Sequence, residues 1–322
     1  MTISIEAKER KIRNCVVVVA GSCGFYGSHL VKHLIEDRHC EVIALDNLLT
    51  GQKKFLHPKA KFIWCDITQS EGRLYKILKG NKVDYVINCV AEPYVPISFE
   101  RPLHVFDTNA RGALMLINAS QEAGVKGILQ ISSAEIYGDI DGKITEEAKT
   151  NPHSSYGASK LAIDTLVQAR WHEAKTPCIA LRMFNLVGEN ETHPYVIPEI
   201  IRQVSISDNV YLGSNTYRDF QYAGDAAKMA VELLEKGNFG EVYNMGSEKG
   251  IQIYELAMVI GRLMGKTIQV FHDVTRDRPK DINHLQSDNS KLYSVIDYRP
   301  KVSLEEALKL TIADYEKNGF CF

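Results

Sequence analysis

No run in this 322-residue chain approaches the roughly 20 consecutive apolar residues that a membrane-spanning helix needs. A membrane protein is therefore not expected. An excess of one charge is also missing, since 38 Lys and Arg stand against 40 Asp and Glu for a net charge of −2. Without surplus cations the chain has little with which to neutralise a phosphate backbone or an anionic lipid surface, so neither nucleic acid nor membrane is expected as a partner. The first fourteen residues, MTISIEAKERKIRN, lack the apolar stretch of a secretory signal. That points to the cytoplasm. The seven cysteines, at 15, 23, 40, 65, 89, 178 and 321, are odd in number and contain no C-x-x-C pair. Most lie in apolar runs, which reads as buried thiols in a reducing compartment, with no metal site or disulfide framework.

What is present is an ordinary globular composition, 45% hydrophobic and 24% charged, able to bury a large core. At this length two lobes are expected. Short β-branched runs at 15–20, 41–46, 61–65, 83–90, 127–132 and 178–184 read as buried strands. Between them, apolar residues at helical spacing predict helices at about 25–37, 70–79, 103–123 and 155–174. This alternation predicts an α/β, Rossmann-like doubly wound parallel sheet over residues 1–185. Beyond Asn185 the alternation weakens, and helices near 195–206, 223–236, 252–264 and 303–317 suggest a smaller α+β substrate-binding lobe over 186–322. No linker separates the two, so they are expected to exchange segments.

The segment Ala20-Gly21-Ser22-Cys23-Gly24-Phe25-Tyr26-Gly27 joins the first strand to the first helix. Glycines at 21, 24 and 27 allow a tight turn, close backbone approach to a pyrophosphate, and tight packing of helix on strand. Alone, that pattern is equally a plain glycine turn. The second strand, however, ends in Asp46, 19 residues beyond Gly27. A carboxylate there accepts hydrogen bonds from a ribose and repels a 2′-phosphate, which favours NAD over NADP. Phe25, Tyr26 and Asn47 are grouped with this site. Asp66 and Ile67, after the third strand, are candidates to frame the adenine, although an Asp after a strand is also common turn chemistry.

Tyr156 and Lys160 stand four residues apart at the start of a predicted helix and so share one face. A nearby ammonium and a positive nicotinamide both favour the phenolate, making Tyr156 a candidate general base with Lys160 beside it. Ser133 follows the fifth strand, where side chains enter the ligand crevice, and can bind the same substrate hydroxyl. Glycine turn, Ser133 and Tyr-x-x-x-Lys, in that order, resemble the extended short-chain dehydrogenase/reductase family of NAD-dependent nucleotide-sugar epimerases and dehydratases. The resemblance continues through Arg182-Met183-Phe184-Asn185, Tyr217-Arg218-Asp219-Phe220 and Arg278-Pro279-Lys280-Asp281. It implies that Asn185 contacts the nucleotide sugar, Arg218 and Arg278 the diphosphate, and Asp281 a ribose. It also implies a homodimer paired through helices near 103–123 and 155–174.

By the same resemblance Glu135 stands where 4,6-dehydratases carry the base that removes the sugar's C5 proton. The implied cycle is C4 oxidation, C5 deprotonation, loss of water from C6 and return of the hydride. Ala134 departs from that pattern, since dehydratases place a proton donor there for the leaving hydroxyl. The reading of a 4,6-dehydratase acting on a nucleotide-diphosphate sugar therefore stands beside a 4-epimerase, a C5-epimerase, a UDP-glucuronate decarboxylase and, from another class, a non-catalytic dinucleotide sensor. Glu92-Pro93-Tyr94 departs from the usual post-strand loop and suggests a reshaped sugar pocket. Tyr94 is placed in the substrate site, with His193, Pro194 and Tyr195 as further contacts.

Overall fold

The computed structural model describes residues 10–320; Cys321 and residues 1–9 of the charged N-terminal segment lie outside them. Seven parallel strands form the central sheet: β1 (Val16–Ala20), β2 (Glu41–Asp46), β3 (Lys61–Trp64), β4 (Tyr85–Asn88), β5 (Gly127–Ser133), β6 (Cys178–Met183) and β7 (Val242–Met245). Their spatial order is β3-β2-β1-β4-β5-β6-β7, and every neighbouring pair runs parallel. Side chains on β1 alternate between two cores, as a two-residue period requires. Val17 and Val19 pack with Leu30, Leu34 and Leu233 on one face, while Val18 and Ala20 pack with Leu74, Leu116 and Ile163 on the other. Burial on both faces is why these strands read as unbroken hydrophobic runs.

Helix α1 (Phe25–Glu36) and helix Ala223–Lys236 cover the first face, and Glu71–Gly80, Ala113–Ala123 and α2 (Ser155–Ala174) belong to the second. A second sheet joins Gly250–Gln252, Tyr217–Tyr222, His284–Ser287 and Lys143–Ile144, with Asn185–Val187 also on Tyr217–Tyr222. Its own core contains Ile197, Phe220, Leu256 and Leu308. Residues 223–245 return to the central sheet and residues 143–144 join the second, so segments cross the division at 185 in both directions.

Three elements differ from the sequence expectation. β7 escapes a search for long β-branched runs because it is only Val-Tyr-Asn-Met. The span read as one helix at 103–123 is instead Pro102–Phe106, a wide turn at Asp107–Gly112 and Ala113–Ala123. A further short helix, Val95–Glu100, follows β4. Among the described residues no helix is long and apolar enough to cross a membrane.

Candidate active site

Strand order reverses between β1 and β4, and at such a point the loops beyond the carboxyl ends of the strands diverge and leave a crevice. A cavity of about 790 Å³ occupies it, lined from both lobes. At its floor Gly21 has φ +78° and packs so closely on the end of β4 that a Cβ would lie 2.9 Å from the Cys89 carbonyl carbon. A Cβ on Gly27 would meet the Gly21 oxygen at 2.0 Å, which fixes how near α1 approaches the turn. Gly24 differs: its Cβ would make only an ordinary 3.5 Å contact within the protein. Its backbone lines the cavity, so the need for glycine there points outward, as a cradle for a pyrophosphate requires.

Asp46 is buried at the end of β2, where its carboxylate accepts the Cys23 and Leu48 N–H groups, each at 2.8 Å. Burial raises its pKa against those hydrogen bonds. Phe25, Tyr26, Asp46, Asn47 and Ile67 all line the cavity; Asp66 does not. Its Oδ1 instead accepts the Thr68 N–H and hydroxyl at 2.9 and 2.7 Å, the turn arrangement that its position after a strand also allowed.

The Ser154 hydroxyl caps α2 by accepting the Gly157 N–H at 3.0 Å. Gly157 permits a close approach, since a Cβ would lie 2.8 Å from the Glu135 carbonyl oxygen. Tyr156 is thereby held against the turn that follows β5, and Ser133, Glu135, Tyr156 and Lys160 all line the cavity. The Ser133 hydroxyl accepts the Glu135 N–H at 3.2 Å. Burial raises the Tyr156 pKa, opposed by hydrogen bonding with Ser133 and reinforced by the charge of Glu135. Lys160 is buried, donates to the Ile131 carbonyl at 3.1 Å, and is pushed down to about 8 by burial. The protein alone thus holds Tyr156 as a phenol; the ammonium does not overcome burial, and the positive nicotinamide is left to favour the phenolate.

From the second lobe, Asn185, Arg218, Arg278 and Asp281 reach the same cavity, as does Tyr94 from the first. Arg218 Nη2 donates to Asp281 Oδ1 at 3.0 Å, and Arg278 Nη1 lies 3.9 Å from the same atom. Two guanidiniums therefore converge in one corner. Neighbouring residues of the same segments are structural instead. Arg182 is buried on Asp164 at 2.7 Å, and Asp219 accepts hydrogen bonds from Ser247, Glu248 and Ser287.

Two contributions escape sequence reasoning. Asn109, in the wide turn, accepts the Glu92 N–H at 2.7 Å and donates to Ser159 Oγ at 3.0 Å, tying the post-β4 loop to α2. Glu191 lines the cavity although its segment reads as a polar loop. It follows β6 in chain order, near Tyr94, His193 and Tyr195, whose rings lie 5.5 to 6.2 Å apart.

Residues 17–246 match the model of the NAD dependent epimerase/dehydratase family. The chain belongs to that family. Among family relatives, a dTDP-D-glucose 4,6-dehydratase of Mus musculus is 31% identical over 318 residues, covering 94% of this chain and 89% of the relative. The crystal structure of a UDP-glucose 4-epimerase from Thermotoga maritima with UDP-glucose superposes with a TM-score of 0.88 at 28% identity, covering 94% of this chain and 99% of that one. A dTDP-glucose 4,6-dehydratase from Streptomyces venezuelae, solved with NAD bound, gives 0.86 at 27% identity over 94% and 97% of the two chains. As a family member the chain is an extended short-chain dehydrogenase/reductase of the nucleotide-sugar dehydratases and epimerases, with NAD as its cofactor.

Proposed function

We propose that this protein is an NAD-dependent nucleotide-sugar 4,6-dehydratase serving deoxy-sugar or surface-glycan precursor synthesis. The observation that carries the reading is the cavity position of Glu135, a carboxylate on the turn directly after Ser133 and in electrostatic contact with Tyr156. Gly21, Gly24, Gly27 and Asp46 would hold NAD, which would supply the hydride acceptor and donor when bound. Tyr156 takes the proton of the C4 hydroxyl, Ser133 holds that hydroxyl, and Lys160 favours the phenolate once the positive ring is present. Oxidation at C4 acidifies the C5 proton, which Glu135 removes. Arg218 and Arg278 hold the diphosphate with charge-assisted hydrogen bonds, and Asp281 and Asn185 orient the rest of the nucleotide sugar.

A second reading, a C4 epimerase, is favoured by the buried Ala134, which has no proton to offer a leaving group, and by the similarity to UDP-glucose 4-epimerases. Incubating the protein with UDP-glucose and dTDP-glucose and weighing the product separates the two. Loss of one water supports the dehydratase; unchanged mass with a new sugar NMR pattern supports the epimerase. We further propose a homodimer, supported by the exposed Phe99, Leu103 and Phe106 beside the helices at issue; a light-scattering mass of one chain would contradict it.

A further inference from the structure

Loss of water from C6 needs two proton transfers: one from C5, and one to the departing hydroxyl. On the dehydratase reading, Glu135 performs the first. Ala134, its neighbour, has no proton for the second. Ser133 and Tyr156 are engaged at C4, which leaves the second transfer to a water, to Glu135 itself or to another residue of the cavity.

One wall supplies three candidates, Glu191, His193 and Tyr195, packed with the ring of Tyr94. The three rings pack on one another, and buried His193 Nε2 has no hydrogen-bond partner. Backbone clamps one carboxyl oxygen of Glu191, with Oε1 accepting the Thr192 and His193 N–H groups at 2.8 and 3.2 Å. His193 Nδ1 stands 3.9 Å from that oxygen. Tyr195 is in electrostatic contact with Glu191 and also with Tyr156, Glu92 and Arg278, which links this wall to the C4 chemistry.

Protonation states separate the candidates. Burial pushes Glu191 up to about 8 and His193 down to about 4, so near neutrality the carboxyl keeps its proton and the imidazole has none to spare. Tyr195 lies well above the ordinary phenol value. A carboxyl poised close to the working pH is the efficient donor of the three.

We infer that Glu191 is the general acid that protonates the departing C6 hydroxyl of the bound hexose. The step balances as follows: Glu135 takes the C5 proton, the C5–H electron pair becomes the C5=C6 bond, the C6–O bond breaks, and oxygen leaves as water with the Glu191 proton. The hydride removed from C4 goes to C6 and the Glu135 proton returns to C5. The proton that Tyr156 took from the C4 hydroxyl replaces the one Glu191 gave up.

Glu191→Gln keeps the acceptor oxygen for both backbone N–H groups and removes the acid. With dTDP-glucose or UDP-glucose it should still form reduced nicotinamide and exchange C5 hydrogen with heavy water, while water loss falls about 10²- to 10⁴-fold. A 6-deoxy-6-fluoro analogue, whose fluoride leaves without a proton, should restore elimination to within a few-fold of wild type. Wild-type water loss should decline as pH rises through about 8, and the variant should lack that decline. Water loss at the wild-type rate in E191Q, or an equal deficit with the fluoro analogue, overturns the assignment while leaving the dehydratase reading intact. A wild-type product of unchanged mass overturns that reading and the assignment with it.

Discussion

Arg278 holds a guanidinium nitrogen 3.6 Å from Glu135 Oε1, so the residue proposed to grip the diphosphate also touches the proposed C5 base. Substrate would compete for this arginine and release the carboxylate toward the sugar. Arg278→Met should therefore weaken UDP or dTDP binding by roughly 10- to 100-fold, the loss of one charge-assisted contact of about 1.5–3 kcal/mol. Calorimetric titration measures it. Arg278→Lys should recover only part, because an ammonium does not reproduce the planar fork.

Tyr156→Phe keeps the ring and removes the proton acceptor. Hydride transfer in a single turnover, followed at the reduced-nicotinamide absorbance, should slow by about 10²- to 10⁴-fold. Nucleotide-sugar affinity should stay near wild type. A normal rate would move the base elsewhere.

Glu135→Gln preserves shape and removes a strong base. Reduced nicotinamide should accumulate while deuterium from heavy water no longer enters C5. In a C4 epimerase the same change would leave turnover nearly untouched, so product NMR beside the absorbance trace decides between the readings.

The last two glycines of the nucleotide turn, Gly24 and Gly27, should respond differently to alanine. At Gly27 the helix propensity gained, about 1 kcal/mol, is set against a Cβ 2.0 Å from a backbone oxygen, an overpacking that costs about 1–3 kcal/mol or more. Gly27→Ala should lower the melting temperature without added nucleotide. Gly24→Ala should melt normally yet purify with little NAD. Melting curves and released-nucleotide analysis test both.

Acid should destabilise the fold partly through His193 and His29, both held below the ordinary histidine value chiefly by burial. The unfolded chain protonates these rings near pH 6.5, whereas folded His193 waits until about 4. Between those values the unfolded state binds more protons, so stability rises with pH and is lost as pH falls, by about 1.4 kcal/mol per pH unit for each fully linked group. Urea midpoints at about pH 7 and about pH 5 should differ less in His193→Phe than in wild type.

Six of the central strands were legible because burial on both faces writes them as β-branched runs. β7 was not, since its one neighbouring strand lies 62 residues away in sequence, as Met245 beside Met183 shows, and its four residues carry no period. The wide turn at Asp107–Gly112 hid inside a helical pattern for a related reason: periodicity averages over a turn that carries one buried amide, Asn109. Glycine turn, Ser133 and Tyr156 were legible through spacing along the chain. Glu191 was not, because a carboxyl acquires its proton from the enclosure around it, and enclosure leaves no mark on a polar tetrapeptide.

The late arrival of β7 also orders events on the ribosome. After β6 emerges, the chain leaves to build Asn185–Val187 and Tyr217–Tyr222 before residues 242–245 come back to pair with β6. A β6 that pairs with β5 as it emerges would present an open row of amides and carbonyls throughout that interval, the kind of edge on which strangers pair. In the finished sheet it is the later sequence that shields the earlier one.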